Sequence, residues 1–313
     1  MYPAMSDAPT IANPHTIHAT GHEKLKAHFA MMLFAVLIAG SFSLGGLAAT
    51  RMPGFAVNLV RYAVAIGAMA AFGIWFLRVE LRFPSAPWRF LLLGGLMAIY
   101  MSTMFKALEF TSPVSTGAVF TLMPLISAGF AWLFMRQVTR PAVMASLVIA
   151  AAGAVWVIFR GDIDAILSFD VGAGEVIFFV GVVCHGAYAP LLRKFNRGEQ
   201  PFNFAFWAVA ATFLWLILPG APTIRSVELA QVPGIVWFAI AYLAIVTTVI
   251  TFLLLQYASM RLPAPKVLAY GYLTPSFIIV LEGLLGHGWV HLSVVAGALV
   301  TACGLLVMAL LPD

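Results

Sequence analysis

The sequence predicts an all-α integral membrane protein of ten transmembrane helices, arranged as two inverted five-helix repeats. Three observations lead there. Hydrophobic residues make up 62% of the chain, charged residues 9%, and the mean hydropathy is +0.99, far from the roughly 25% charge of soluble domains. Apolar runs of about 18 residues or more recur along nearly the whole length, the pattern of many spans rather than one anchor. Finally, the stretch Phe105 to Pro124, FKALEFTSPVSTGAVFTLMP, returns as Leu255 to Pro275, LQYASMRLPAPKVLAYGYLTP. Pro113 falls on Pro263 at an offset of 150, and after one inserted residue Pro124 falls on Pro275 and Gly153 on Gly304 at 151. This is one unit written twice. Each copy reads as the polar end of one helix, a Pro-marked turn and the next helix.

Residues 1–28 hold Pro3, Pro9, Pro14 and four histidines, show no periodicity, and read as a disordered cytoplasmic tail. The following apolar run is about 20 residues long and leads into further spans, so it reads as an uncleaved first helix rather than a signal peptide. Apolar length, with Gly, Pro and charge as punctuation, places helices at 29–49, 55–77, 88–110, 113–134 and 141–159, which form the first repeat (29–159). The second repeat (172–311) contains 172–192, 202–219, 234–259, 264–285 and 290–311. The linkers are short, and none is long enough to hold a soluble domain.

Twelve of the 17 Lys and Arg fall at the end of the bundle that carries the N-terminus, among them Lys24, Arg82, Arg140, Lys194 and Arg261. Arg51, Lys106, Arg160 and Arg225 fall at the other end, with Asp162, Asp164 and Asp170, while Arg61 lies inside the second helix. That asymmetry puts both termini in the cytoplasm of a cell inner (plasma) membrane protein. The net charge of +5 is thus an orientation signal and not a nucleic-acid footprint. Five is odd, so the repeats are inverted, a design that lets one central site face either side in turn.

Charges inside spans cost roughly 2.5–3.5 kcal/mol at mid-membrane and mark a partner or a function. Lys106 and Glu109 share a helical face near the outer end of the third helix. Two readings stand for Lys106: a rim pair with Glu109, or a cavity ammonium that receives a carboxylate or phosphate. Its repeat mate Gln256 is polar in an apolar run, which extends the candidate cavity face to the second half. Arg61 reads as a tie between helices, a funnel charge or a direct ligand. His185, with Tyr188 one turn on, is either a satisfied polar contact or a ligand, and Tyr270 joins the substrate-binding candidates. Glu282, seven residues beyond Pro275, is the candidate proton-coupling carboxyl, since burial raises a carboxyl pKa; the alternative is a hydrogen bond to a neighbouring helix. Pro124, Pro275 and Pro190 interrupt helices; such breaks often border the site in carriers of this design, and a passive kink is the alternative reading. Cys184 and Cys303 lie in apolar runs and argue for neither a disulfide nor a metal. No metal, phosphate-loop or nucleophile motif is present, so no cofactor and no enzymatic activity are expected.

In order along the chain, Asn58-Leu59-Val60-Arg61-Tyr62-Ala63, the segment ALEFTSP from Ala107 to Pro113, and the paired Leu122-Met123-Pro124 and Leu273-Thr274-Pro275 resemble the drug/metabolite transporter superfamily of EamA type, over roughly 29–311. That resemblance implies ten helices, a central polar cavity and movement of small organic molecules. Where the family often has Trp-Gly in the first helix of each half, this chain has Ala39-Gly40 and Cys184-His185, and the resemblance carries no substrate over. The expectation is a secondary transporter, an exporter of a small polar or amphipathic metabolite such as an amino acid, working by alternating access. An uptake carrier for a vitamin or nucleotide-like compound and a multidrug exporter are the transport alternatives. A membrane enzyme or lipid-handling protein is the remote one. The expected partners are the small-molecule substrate, the lipid bilayer and coupled protons, but no nucleic acid, in a monomer or homodimer.

Orientation is testable by thiol accessibility. Cysteines introduced as Asp162→Cys and Thr223→Cys are expected to react with an impermeant maleimide in intact cells, and Asn196→Cys only after permeabilisation. Labelling of Asn196→Cys alone would reverse the assignment.

Overall fold

The computed structural model describes residues 19–136, 138, 140–159, 161–168, 171–262, 264–289 and 291–310. Pro263, Arg160, Asp170 and the first 18 residues of the expected tail lie outside the described residues. Among those described, ten longer helical passages follow one another, with a short helix Ile163–Ser168 and a 3-10 turn Leu229–Gln231 in their connections, and no strand occurs. They are α1 (Gly21–Ala49), α2 (Gly54–Phe76), α3 (Pro87–Ala107), α4 (Pro113–Met135), α5 (Pro141–Ile158), α6 (Ala173–Phe195), α7 (Pro201–Arg225), α8 (Gly234–Ser259), α9 (Ala264–Ala269, Tyr270–Leu273 and Thr274–Leu284 in sequence) and α10 (Leu292–Leu310). Seven of these are long and apolar enough to cross a membrane, and α5, α9 and α10 are the shorter or broken remainder. Proline opens α3, α4, α5 and α7, where its missing N–H costs nothing because the first turn has no intrahelical acceptor.

Two boundaries differ from expectation. The helix α1 begins at Gly21, so residues 21–28, placed above in the tail, are helical. Tertiary contacts hold these polar first turns. Glu23 accepts from Lys26 Nζ at 2.9 Å, Arg261 Nε at 3.1 Å and the Tyr257 hydroxyl at 3.1 Å, while the Ala19 N–H donates to the Arg261 carbonyl at 3.0 Å. Helix α7 runs on to Arg225, past the expected stop at 219 and through Pro219 and Pro222. There Gly220 allows the backbone to lie against Leu59 and Phe55 of α2, and Thr223 Oγ1 donates to the Pro219 carbonyl at 2.6 Å.

The repeat governs the packing. Helices of one half pack mostly on the other: α3 on α6 and α7, α4 on α6, α2 on α7 and α8, α1 on α8 and α9, α5 on α10. Both α4 and α9 break at matched points. Helix α4 is interrupted at Thr121 and Leu122 before Met123-Pro124, and α9 narrows to a 3-10 turn over Tyr270–Leu273 before Thr274-Pro275. Each proline sits in the first turn of its new segment, the position that tolerates a missing N–H. At the 151 offset Phe120 corresponds to Gly271, and these two touch: a Cβ on Gly271 would stand 3.2 Å from the Phe120 ring. The pseudo-two-fold axis therefore passes beside the two breaks. It recurs between α5 and α10, where a Cβ on Gly153 would meet Thr301 Oγ1 at 2.5 Å and one on Gly304 the Ser146 carbonyl at 3.2 Å.

Polar ties close the two ends. At the basic end the Arg89 guanidinium donates to the Phe195 carbonyl and, at 2.6 Å, to Glu199 Oε1 in the α6–α7 loop. Partial desolvation pushes the Glu199 carboxyl up, but Arg89 and the Arg197 N–H outweigh it and hold the pKa below the usual range. Opposite, Thr111 donates to Glu175 across the halves.

Close helix approach depends on particular glycines. A Cβ on Gly94 would lie 2.5 Å from the Ala211 carbonyl carbon and 2.7 Å from the Thr212 nitrogen, both backbone atoms that cannot turn aside. Gly94→Val is expected to separate α3 from α7 and destabilise the protein by about 1–3 kcal/mol, as overpacking does. Gly67, in α2, has nothing within 4 Å of its Cβ position. Gly67→Ala is therefore expected to be neutral or stabilising, by up to about 1 kcal/mol. Thermal unfolding of the purified protein in detergent checks both; equal midpoints for the two variants would contradict the packing argument.

Candidate functional site

A cavity of about 70 Å³ lies at mid-bundle between the repeats, with room for a handful of ordered waters or a small organic molecule. Both halves build its wall, Phe34, Ser41, Arg61, Tyr100 and Phe120 coming from the first and His185, Thr212, Thr247, Thr251 and Leu255 from the second. Most of the lining is aromatic or aliphatic. The polar groups are few and convergent.

Arg61 is the charged group of this lining, 1% exposed and about two turns into α2. Its partner is an irregular stretch of α8, where Tyr242–Ile250 adopts π-helical geometry, a form that recurs at functional positions. Thr247 and Thr248, adjacent in sequence, both donate their hydroxyl protons to the Leu243 carbonyl, at 2.9 and 2.8 Å. That leaves the hydroxyl oxygens as acceptors. Arg61 Nε donates to Thr248 Oγ1 at 3.0 Å and Nη2 to Thr247 Oγ1 at 3.1 Å, with a longer bond to the Thr247 carbonyl at 3.4 Å. The Nη1 contact is weak, to Met101 Sδ at 3.4 Å, and the guanidinium carbon lies 5.6 Å from the Tyr62 ring centre. One turn earlier Asn58 Nδ2 donates to the Met101 carbonyl at 3.1 Å and fixes α2 against α3. Every oxygen or sulfur facing Arg61 is thus neutral. Holding an uncompensated charge at this depth costs about 2.5–3.5 kcal/mol or more.

A ring cluster forms one wall and its backing. His185 packs tilted on Tyr100 with centroids 4.3 Å apart and lies 5.8 Å from Tyr188, while Phe120 stands 6.3 Å from His185. The His185 Nδ1 is buried and has no hydrogen-bond partner. Behind these, Phe42 packs on Phe120 at 5.6 Å and on Phe178 at 6.1 Å, and both are fully buried. Phe178 precedes His185 by seven residues on α6, about 10 Å closer to the Lys106 end at 1.5 Å per residue. The rings therefore plug the Lys106 end of the cavity. In the other direction its lining runs to Phe34 and Leu255, toward the basic end.

Of the seven residues singled out in the sequence, Arg61, His185 and Tyr188 line this cavity. Lys106 does not: its side chain is 45% exposed and bonded to Glu109 at 2.7 Å, with the Phe110 ring 5.0 Å away, the geometry of a rim pair. Gln256 is buried but is absent from the lining, so the repeat-related pair does not meet at the cavity. Tyr270 binds His28 Nδ1 through its hydroxyl at 2.8 Å and packs in a separate cluster with Met31 and Ala128. Glu282 is buried near the Lys106 end, with Oε2 2.8 Å from His287 Nδ1, and its Oε1 has no partner. Sequence reasoning missed Ser41, Thr212, Thr247, Thr248 and Thr251. The signal was available in Thr247-Thr248-Val249-Ile250-Thr251, three hydroxyls on adjoining turns within an apolar run.

Comparison with known proteins agrees with this architecture. A family model described as the EamA-like transporter family matches the chain twice, over residues 25–159 and 172–310. "Uncharacterized transporter YyaM" of Bacillus subtilis (strain 168) is 26% identical over 214 residues, 68% of this chain and 70% of the relative. A solved structure described only as "Crystal structure of protein" superposes with a TM-score of 0.70 at 21% identity, covering 90% of this chain and 96% of that one, a likeness of fold. Two matches to the family model, one on each inverted half and together spanning most of the sequence, make this chain a member of the EamA-like transporter family.

Proposed function

We propose that this transporter is a secondary carrier that moves a small amphipathic metabolite by alternating access, with the cavity between the repeats as its central site. The observation that carries the reading is the placement of that cavity on the interface of two inverted halves, beside the break in α4, whose Phe120 lines it and packs over Gly271 in the break of α9. Inverted repeats with discontinuous helices at the midplane are the working parts of such carriers. The rings of Phe42, Phe120 and Phe178 back the cavity toward the Lys106 end, and toward the basic end Phe34 and Leu255 line it and pack on the buried cluster of Met31, Ala258 and Tyr270. Since basic residues favour the cytoplasmic side, export would load the cavity past Phe34 and Leu255. A carrier of this kind sits in the plasma membrane with both termini inside.

Counterflow in proteoliposomes, using a panel of radiolabelled amino acids, organic acids and nucleosides, tests the reading. At least one class of compound is expected to exchange faster than in protein-free vesicles; no exchange of any class would count against a carrier. Leu255→Trp, which places a large ring at a half-buried lining position of the cavity, is expected to lower the exchange more than tenfold with little change in thermal midpoint. Leu254→Trp, half-buried outside the lining, serves as the control and is expected to exchange normally.

A further inference from the structure

The charge balance of the cavity restricts what it can hold. Arg61 is its cation, and no acidic side chain is among its lining residues. The described acids all lie toward the ends of the bundle: Glu23, Glu80 and Glu199 at the basic end, Glu109, Asp162, Asp164, Glu175, Glu228 and Glu282 at the other. Glu282, the buried one within a helix, is already engaged with His287. The acceptors around the guanidinium are two threonine oxygens, a backbone carbonyl and a thioether. None carries charge. The side-on pair of the guanidinium, Nε and Nη2, is engaged by Thr248 and Thr247, but Nη1 faces only the Met101 sulfur, so the end-on edge of Nη1 and Nη2 keeps N–H groups suited to two oxygens of one planar anion.

We propose that the cavity binds an organic monoanion: a carboxylate received by the Arg61 guanidinium, which Thr247 and Thr248 hold in place, attached to a short apolar body packed against Tyr100, Phe120 and Tyr188. A single guanidinium balances a single negative charge. An amino acid would bring an ammonium for which the wall offers hydroxyls, an imidazole and carbonyls but no carboxylate, so the zwitterion is disfavoured relative to the acid lacking the amine. A free amine would face Arg61 as a like charge. This inference rests on the cavity being the transport site, and its test separates the two.

Four compounds of similar branched body isolate the charge: 4-methylpentanoate, leucine, 4-methylpentanamide and 3-methylbutylamine. With the purified full-length protein in detergent, 4-methylpentanoate is expected to raise the thermal midpoint saturably. Leucine is expected to bind at least tenfold more weakly, and the amide and the amine to give no shift. Arg61→Lys should keep this order with weaker binding, and Arg61→Gln should lose the carboxylate response. If Arg61→Gln does not fold, the order of the four compounds on wild-type protein decides alone. Leucine or the amine binding as tightly as the carboxylate overturns the proposal, as does the absence of any shift on wild type or an undiminished carboxylate response in a folded Arg61→Gln. Flux is read with 3-methylbutane-1-sulfonate, which stays ionised and does not leak through lipid. Anion-selective binding without sulfonate flux leaves the anion site standing and removes the carrier reading; exchange of leucine or the amine without anion preference does the reverse.

Discussion

Hydrocarbon offers no hydrogen-bond partners, so backbone that leaves the regular helix can exist in a membrane only where protein or a cavity satisfies it. This constraint organises the molecule. Its three irregular stretches within long spans near the centre, the break at Thr121-Leu122, the 3-10 turn Tyr270–Leu273 and the π segment Tyr242–Ile250, all adjoin the interface of the two halves. Phe120 lines the cavity one residue before the first break and packs over Gly271 in the second, while Thr247 and Thr248 line it from the third. The cavity exists where the helices are not ideal, and the ideal parts of those helices enclose it.

Much of the fold was legible because it follows from lengths and punctuation. A bilayer demands spans of about 20 residues, prolines can open a helix but not sit comfortably inside one, and a duplicated sequence must fold twice. The exceptions share a cause. The start of α1 at Gly21 depends on Glu23 meeting Arg261 and Tyr257, more than 230 residues away, and nothing local in His22-Glu23-Lys24 announces that contact. The continuation of α7 through Pro219 depends likewise on its packing against α2. Local punctuation yields wherever a distant partner compensates for it.

The site was legible in Arg61, His185 and Tyr188 but not in its hydroxyls. Arg61 drew attention because an arginine inside a span is expensive, and it does line the cavity. Lys106 drew attention for the same reason, yet it sits in the last turn of its helix, where its long stem lets the ammonium reach the rim and Glu109. Depth along the helix separates the two, and depth is what a sequence boundary uncertain by a few residues fails to supply. Threonines escaped notice because their hydroxyls bond back to their own helix, as Thr247, Thr248 and Thr251 do here, and so cost little in an apolar run. Their second role, accepting from Arg61, appears only when α2 and α8 are side by side.

The repeat is symmetric in backbone but not in chemistry. At the offset of 150 or 151, Arg61 corresponds to Ala211 or Thr212, so the guanidinium belongs to the first half alone. Its oxygen acceptors, Thr247 and Thr248, belong to the second half, and its remaining contact, Met101, to the first. A rearrangement that moves one half against the other must therefore either carry the Arg61 bonds as a fixed hinge or exchange them for other acceptors. Neutral hydroxyls hold a cation loosely compared with a carboxylate, because a hydrogen bond with charge on both partners is stronger than one with charge on a single partner. A permanent ion pair at this position would tie the two halves together, whereas hydroxyl oxygens leave a contact that the movement can break. The pairing of Arg61 with threonines rather than an acid thus joins its helices firmly enough to shape the cavity, and under the alternating-access proposal weakly enough for the two halves to part.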